Sequence, residues 1–111
     1  MFRDTTAVSV ARGAALLDQY RPGWAEEIDL DELRIESGED CVLGQLYGDY
    51  GEGRAQLRIL DTAYSQDLGF TAGLDGPPAD WYGLNRCWRE LIEDRRNLVD
   101  RNQLQFEALA G

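Results

Sequence analysis

The chain has no histidine and no lysine, and only two cysteines, one methionine and three prolines among its 111 residues. The missing histidine removes the usual general base at neutral pH and the commonest protein ligand for metals. It also removes the base of Ser–His and Cys–His nucleophile pairs. Without lysine, the glycine-rich stretch GDYGEG at residues 48–53 lacks the cation of a phosphate loop, and its own carboxylates would repel phosphate. Cys41 and Cys87 with carboxylates alone fall short of a structural zinc set. They are expected as free thiols in a reducing compartment, Cys41 as a small buried apolar residue. Whether the two lie near each other is open at this point. No apolar run approaches the roughly 18 residues of a membrane span. Asp4, Thr5, Thr6, Ser9 and Arg12 interrupt the N-terminus too often for a signal peptide. These absences lead us to expect a soluble, cytoplasmic, non-enzymatic protein with no cofactor, no metal and no membrane contact.

Acid is abundant. The formal charge is −10, and its distribution is uneven. Between Trp24 and Arg54 stand Glu26, Glu27, Asp29, Asp31, Glu32, Glu36, Glu39, Asp40, Asp49 and Glu52, against only Arg34 and Arg54, so this stretch carries −8. Such a field repels nucleic-acid phosphates and anionic lipid, so direct nucleic-acid binding is not expected; it attracts a basic protein. Paired carboxylates such as Asp29 with Asp31, or Glu26 with Glu27, could in principle hold a divalent cation. No calcium-loop spacing supports that, and solvated surface is the expectation. All eleven bases are arginine, which a GC-rich genome explains without any functional demand.

Apolar spacing predicts a mostly α fold: a small single-domain bundle of about four helices with an irregular acidic segment near residues 24–37. Val10, Ala14 and Leu17, widened by Val8, Ala11 and Ala15, mark a first helix over residues 6–20, which Pro22 and Gly23 end. Ile28, Leu30, Leu33 and Ile35 fit neither a clean helix nor a clean strand. Ser37 with Asp40 resembles a capping box ahead of CVLGQLYG, where Gly44 and Gly48 share a face and would permit a close helix crossing. GDYGEG reads as a turn. Leu57, Leu60, Tyr64 and Leu68 predict a helix over residues 53–68, with Gly69 as a left-handed terminator and Phe70 folded back on it. Residues 71–79 read as a loop, and Asp80 as the cap of a strong final helix on which Trp81, Leu84, Trp88, Leu91 and Ile92 form the core stripe. Arg95 and Arg96 are expected near its end, where they favour the helix dipole. The domain is expected to cover residues 1–97. The apolar tail at 98–111 would be packed back, swapped with a second copy or partly disordered.

The order GAALLDQYRPGWAEEIDLDELRI, then CVLGQLYGDYGEG, then LGF and YGLNRCWRELIEDRR resembles a group of small proteins of actinobacteria and their phages. The residues that carry the resemblance are Pro22, Gly23, Trp24, Ile28, Leu30, Cys41, Leu43, Gly44, Gln45, Leu46, Tyr47 and Gly48. It covers about Gly13 to Arg96 and implies a phage or actinobacterial origin. It brings no activity with it.

The function expected from these features is a protein-interaction module, in the sharpest form a phage-encoded modulator of a host protein. Its candidate partner surface is Trp24, Glu26, Glu27, Asp29, Asp31, Glu32, Gln45, Tyr47 and Tyr50. The carboxylates would steer a basic partner, and the aromatics would supply affinity. Trp24, after a Pro-Gly turn, is expected to be partly exposed, whereas Trp81 and Trp88 belong to the core. Gln45, polar within an apolar run, is expected to be exposed or bonded to nearby backbone. A self-assembling phage component, docked through the tail on a second copy, and an acidic DNA mimic are the alternatives.

Overall fold

The computed structural model describes residues 5–72 and 80–110, the side chains of Thr5 and of residues 98–110 excepted. The helices are α1 (Thr5–Tyr20), α2 (Trp24–Glu27), α3 (Val42–Tyr47), α4 (Tyr50–Gln56), α5 (Thr62–Asp67) and α6 (Trp81–Ala110). No strand occurs among the described residues. The fold is mostly α as expected, with six helices among the described residues where about four were expected, because the middle of the chain is cut into short pieces.

The reason for the cutting is local. The expected helix over residues 53–68 is broken between α4 and α5. Arg58 adopts φ 60, and the chain closes on itself there: the Arg58 N–H reaches the Ala55 carbonyl at 3.2 Å and the Ile59 N–H the Arg54 carbonyl at 2.8 Å. This is the paired closing pattern of a helix C-terminus, with arginine in the position glycine usually fills. Asp61 then caps α5, its carboxylate accepting the Tyr64 N–H at 2.7 Å. Leu57, Ile59 and Leu68 reach the core, but Leu60 is 87% exposed and Tyr64 is exposed too. The end of α5 follows the expectation. Gly69 has φ 73, and the Phe70 N–H bonds the Ser65 carbonyl at 3.0 Å.

Two more expectations shift. GDYGEG is a turn only at Gly48 and Asp49, because the Asp49 carboxylate accepts the Glu52 N–H at 2.7 Å and starts α4. Ser37 closes a turn without a helix, its hydroxyl accepting from Glu39 and Asp40; α3 begins only after Cys41, whose sulfur accepts the Gly44 N–H at 3.2 Å. Gly44 packs against the Gly38–Glu39 backbone and not against another helix. The close helix approach lies at Gly53 instead, where a Cβ would sit 2.6 Å from that of Leu43.

The core is built on α6. Leu84, Trp88 and Ile92 recur at four-residue spacing and are fully buried. Trp88 is the centre. Phe70 stacks on it at 5.4 Å, and Trp24 meets it edge-on at 5.8 Å, both favourable aromatic geometries. Its indole N–H donates to the Gly69 carbonyl at 2.6 Å, so the ring is buried with its polar atom satisfied. α1 brings Val10, Ala14 and Leu17 to this centre, but Val8, Ala11 and Ala15 face outward, so its stripe is narrower than predicted. Gly13 explains how α1 comes so close: a Cβ there would collide with the Leu68 carbonyl and lie 3.1 Å from the Trp88 ring. Trp81 departs from its expected core position. It is 39% exposed because Asp80 caps α6 immediately before it, and the buried stripe starts one turn later at Leu84.

α6 continues through Ala110, so Arg95 and Arg96 lie in mid-helix and not near its end. How the tail's side chains pack lies outside the described residues, as does most of the loop expected at 71–79. No described helix is long and apolar enough to cross a membrane.

Candidate partner surface

Residues 28–41 form no helix, yet they are closely held. Ile28, Leu33 and Ile35 are buried beneath the segment. Above them, side chains from helices bond its backbone. On α6, Arg89 donates to the Leu30 carbonyl at 2.6 Å, and Arg96 donates to the Ala25 carbonyl at 3.0 Å and to the Ile28 carbonyl. Asn85 accepts the Ile35 N–H at 2.8 Å and donates to the Glu36 carboxylate at 2.9 Å and to the Trp81 carbonyl at 2.8 Å. From α3, Gln45 accepts the Asp29 N–H at 2.6 Å and donates to the carbonyls of Asp29 and Asp40. Side chains therefore replace the ladder that a helix or strand would have supplied. Among the described residues no buried side-chain polar atom lacks a partner.

The expected surface divides into two kinds of residue. Glu26, Glu27, Asp29, Asp31 and Glu32 are all exposed. Glu27 is paired with Arg21 at 2.9 Å, which holds its carboxyl below the usual range and raises the guanidinium. Asp29 accepts the Asp31 N–H at 3.0 Å, a local turn. Glu26, Asp31 and Glu32 form no ion pair with a described residue.

The aromatic half is different. Trp24, expected to be partly exposed, is 1% exposed, and its indole N–H donates to Asp18 at 3.0 Å. The reason is that Gly23, at φ 84, turns the chain so that Trp24 falls back onto Trp88. Tyr47 is half-buried under the Arg21 guanidinium, 5.1 Å from its ring centre. Tyr50 is half-buried as well, its hydroxyl 2.5 Å from that of Ser65. Gln45 is a clip, as the backbone-bonded expectation had it. The structure thus brings the five carboxylates to the surface and draws the aromatics meant to accompany them into internal contacts.

Cys41 is buried, and burial pushes its thiol up despite nearby backbone N–H groups. Cys87 is half-buried, and neither cysteine is in a disulfide among the described residues. No group of three His, Cys, Asp or Glu side chains among the described residues is arranged to hold a metal.

The residues that composition and spacing missed are Asn85, Arg89, Arg96 and Asp18. The first three stand four and seven apart, on one helical face beside the Leu84–Trp88–Ile92 stripe. A polar row flanking a core stripe was the available signal. Asp18 accepts both Trp24 and, at 2.7 Å, Arg95, so α1, α2 and α6 meet at one carboxylate. The Arg95 hydrogen bond is the first cause that draws its carboxyl below the ordinary range. Compared with known proteins, the chain matches no family model, no curated protein and no solved structure.

Proposed function

We infer that the chain is a non-enzymatic protein-interaction module whose segment 26–40 meets a basic surface on another protein. The observation that supports this is the division of labour along that segment. Its backbone is bonded by Gln45, Asn85, Arg89 and Arg96, while Glu26, Asp31 and Glu32 are exposed and form no ion pair with a described residue. A rigid array of unpaired carboxylates costs stability through self-repulsion and adds steering toward a cationic partner. Pre-ordering also lowers the entropy cost of association. The resemblance noted above gives this module a phage-encoded form, acting on a host protein.

The test is capture from lysate at low ionic strength with the intact chain and with the triple variant E26K/E27K/D31K. All three positions are exposed, so the variant should fold. The expected outcome is a bound protein that the variant does not retain and that moderate salt releases, since screening over about 8–10 Å weakens exposed charge contacts. Partners that bind the variant equally well would refute the reading.

One observation favours a second reading. α6 runs unbroken to Ala110, and the sequence of its last turns includes Leu98, Val99, Leu104, Phe106 and Leu109. A helix of that pattern suits docking on a second copy. Light scattering of the intact chain and of one ending at Asn97 separates the two: a mass that is monomeric for each chain removes self-assembly.

A further inference from the structure

The acidic segment ends at a small cleft bounded by Ile35, Glu36, Gly38, Tyr50, Phe70 and Trp81. We propose that this cleft seats a single cationic side chain, an arginine or lysine projecting from the basic partner, between the Trp81 ring and the Glu36 carboxylate. The proposal rests on the interaction reading above and names the part of the partner that enters.

Size decides first. The cleft holds about 100 Å³, well under the 300 Å³ at which small-molecule pockets begin, so it suits one side-chain head and not a metabolite or a helix. Chemistry decides next. Trp81 is the aromatic wall left 39% exposed, and no described guanidinium lies over it. The chain already seats its own guanidiniums on aromatic faces, Arg21 over Tyr47 and Arg54 over Tyr50 at 5.7 Å. Trp is the strongest such platform. At the rim, Glu36 receives one Asn85 hydrogen bond on Oε1, and that bond is the first cause holding its carboxyl below the ordinary range. Arg34 adds a weaker effect of the same sign.

The walls are also preformed. Asn85 alone ties three of them, holding the Ile35 N–H, the Glu36 carboxylate and the Trp81 carbonyl. The Tyr50 N–H bonds the Gly38 carbonyl at 2.7 Å, and Phe70 is stacked on Trp88. A cation would enter a site whose walls these bonds already hold, lined by Trp81 and by Glu36.

The experiment is a titration of the full chain with the capped tripeptide Gly-Arg-Gly, followed by the indole N–H resonance of Trp81 and by the backbone amide resonances of Glu36 and Gly38, which also report in the variant that lacks Trp81. The same peptide with citrulline, isosteric but uncharged, is the control. The expected result is a saturable shift of the Trp81 resonance with arginine, and a weaker one with lysine. Citrulline should bind on the order of tenfold more weakly, and W81L or E36Q should lose affinity by a similar factor. Circular dichroism melts of both variants confirm that they fold. Equal shifts from arginine and citrulline, or arginine shifts that persist in E36Q and W81L, would overturn the proposal. Lysate capture separates its failure from that of the wider reading. If capture is lost in E26K/E27K/D31K but kept in W81L and E36Q, the acidic face stands and the cleft does not.

Discussion

The two sides of α6 hold the chain by opposite means. On one side, Trp88 is enclosed by Phe70, Trp24 and the bare backbone of Gly13. On the other, the acidic segment lies over Ile28, Leu33 and Ile35 and is fastened by the amides and guanidiniums of Asn85, Arg89, Arg96 and Gln45. The first side depends on shape and excluded water, so it should fail cooperatively. The second depends on discrete hydrogen bonds to backbone, each of which can be released singly. That difference bears on function, because a surface that must present charges in fixed places cannot itself be apolar.

The comparison breaks most severely at its centre. Trp88→Ala removes the ring that both other aromatics touch and leaves a cavity, so we expect a loss of about 3–5 kcal/mol, enough to unfold much of a domain this small. Urea denaturation followed by circular dichroism measures it. Gly13→Val should be comparably severe for a different reason: the Leu68 carbonyl and the Trp88 ring occupy the space the new side chain needs, and overpacking of this kind costs about 1–3 kcal/mol or more.

Arg89→Ala with Arg96→Ala attacks the other side. Three backbone carbonyls, of Ala25, Ile28 and Leu30, lose their donors. Hydrogen bonds to charged groups contribute about 1.5–3 kcal/mol each, but these carbonyls gain access to water once released, so we expect about 2 kcal/mol in total. Hydrogen exchange gives the sharper distinction. Amides of the segment, such as Arg34, which bonds the Asp40 carbonyl at 3.2 Å, should exchange faster, while those around Trp88 should slow or quicken only with global stability. Uniform acceleration across both sides would show that they unfold as one unit. Gln45→Ala is a milder version: the Asp29 amide loses its acceptor, with about 1 kcal/mol of destabilisation and exchange that rises at Asp29 first.

The apolar side was legible in the sequence and the polar side was not, for a physical reason. Leu84, Trp88 and Ile92 announce themselves by spacing, and Gly69 by being a glycine where a helix must stop. Arg58 does the same work as Gly69 with a side chain that gives no such warning, so the helix over residues 53–68 was read through the break. Trp24 was read outward because Pro-Gly turns usually lie at the surface, but a turn fixes only direction, and here the direction is inward. The carboxylates of the candidate surface were legible because charge seeks water whatever the fold. Asn85, Arg89 and Arg96 were not, since a long polar residue beside a core stripe reads equally as solvated surface. Their backbone partners in the segment are 50 to 71 residues away, and no local pattern encodes those.

The smallest expected effect tests where the two sides join. Asp18 accepts Trp24 from the aromatic side and Arg95 from α6, and its carboxyl lies below the ordinary 3.8. A carboxyl with a depressed folded value contributes stability that is fully present above its unfolded value and lost as pH falls through the folded one. Asp18→Asn should therefore destabilise the protein at neutral pH, and the gap from the parent should close below about pH 4 as the parent's own carboxyl takes up its proton. The side chain is 45% exposed, so solvent screening keeps the charge contribution under about 1 kcal/mol. Asparagine retains an oxygen for the Trp24 indole, so the variant isolates the contact with Arg95 from that with the aromatic side. Melting temperatures of parent and variant from pH 7 to pH 3 check it: a gap that stays constant across that range would mean that geometry, and not charge, joins the two sides at this residue.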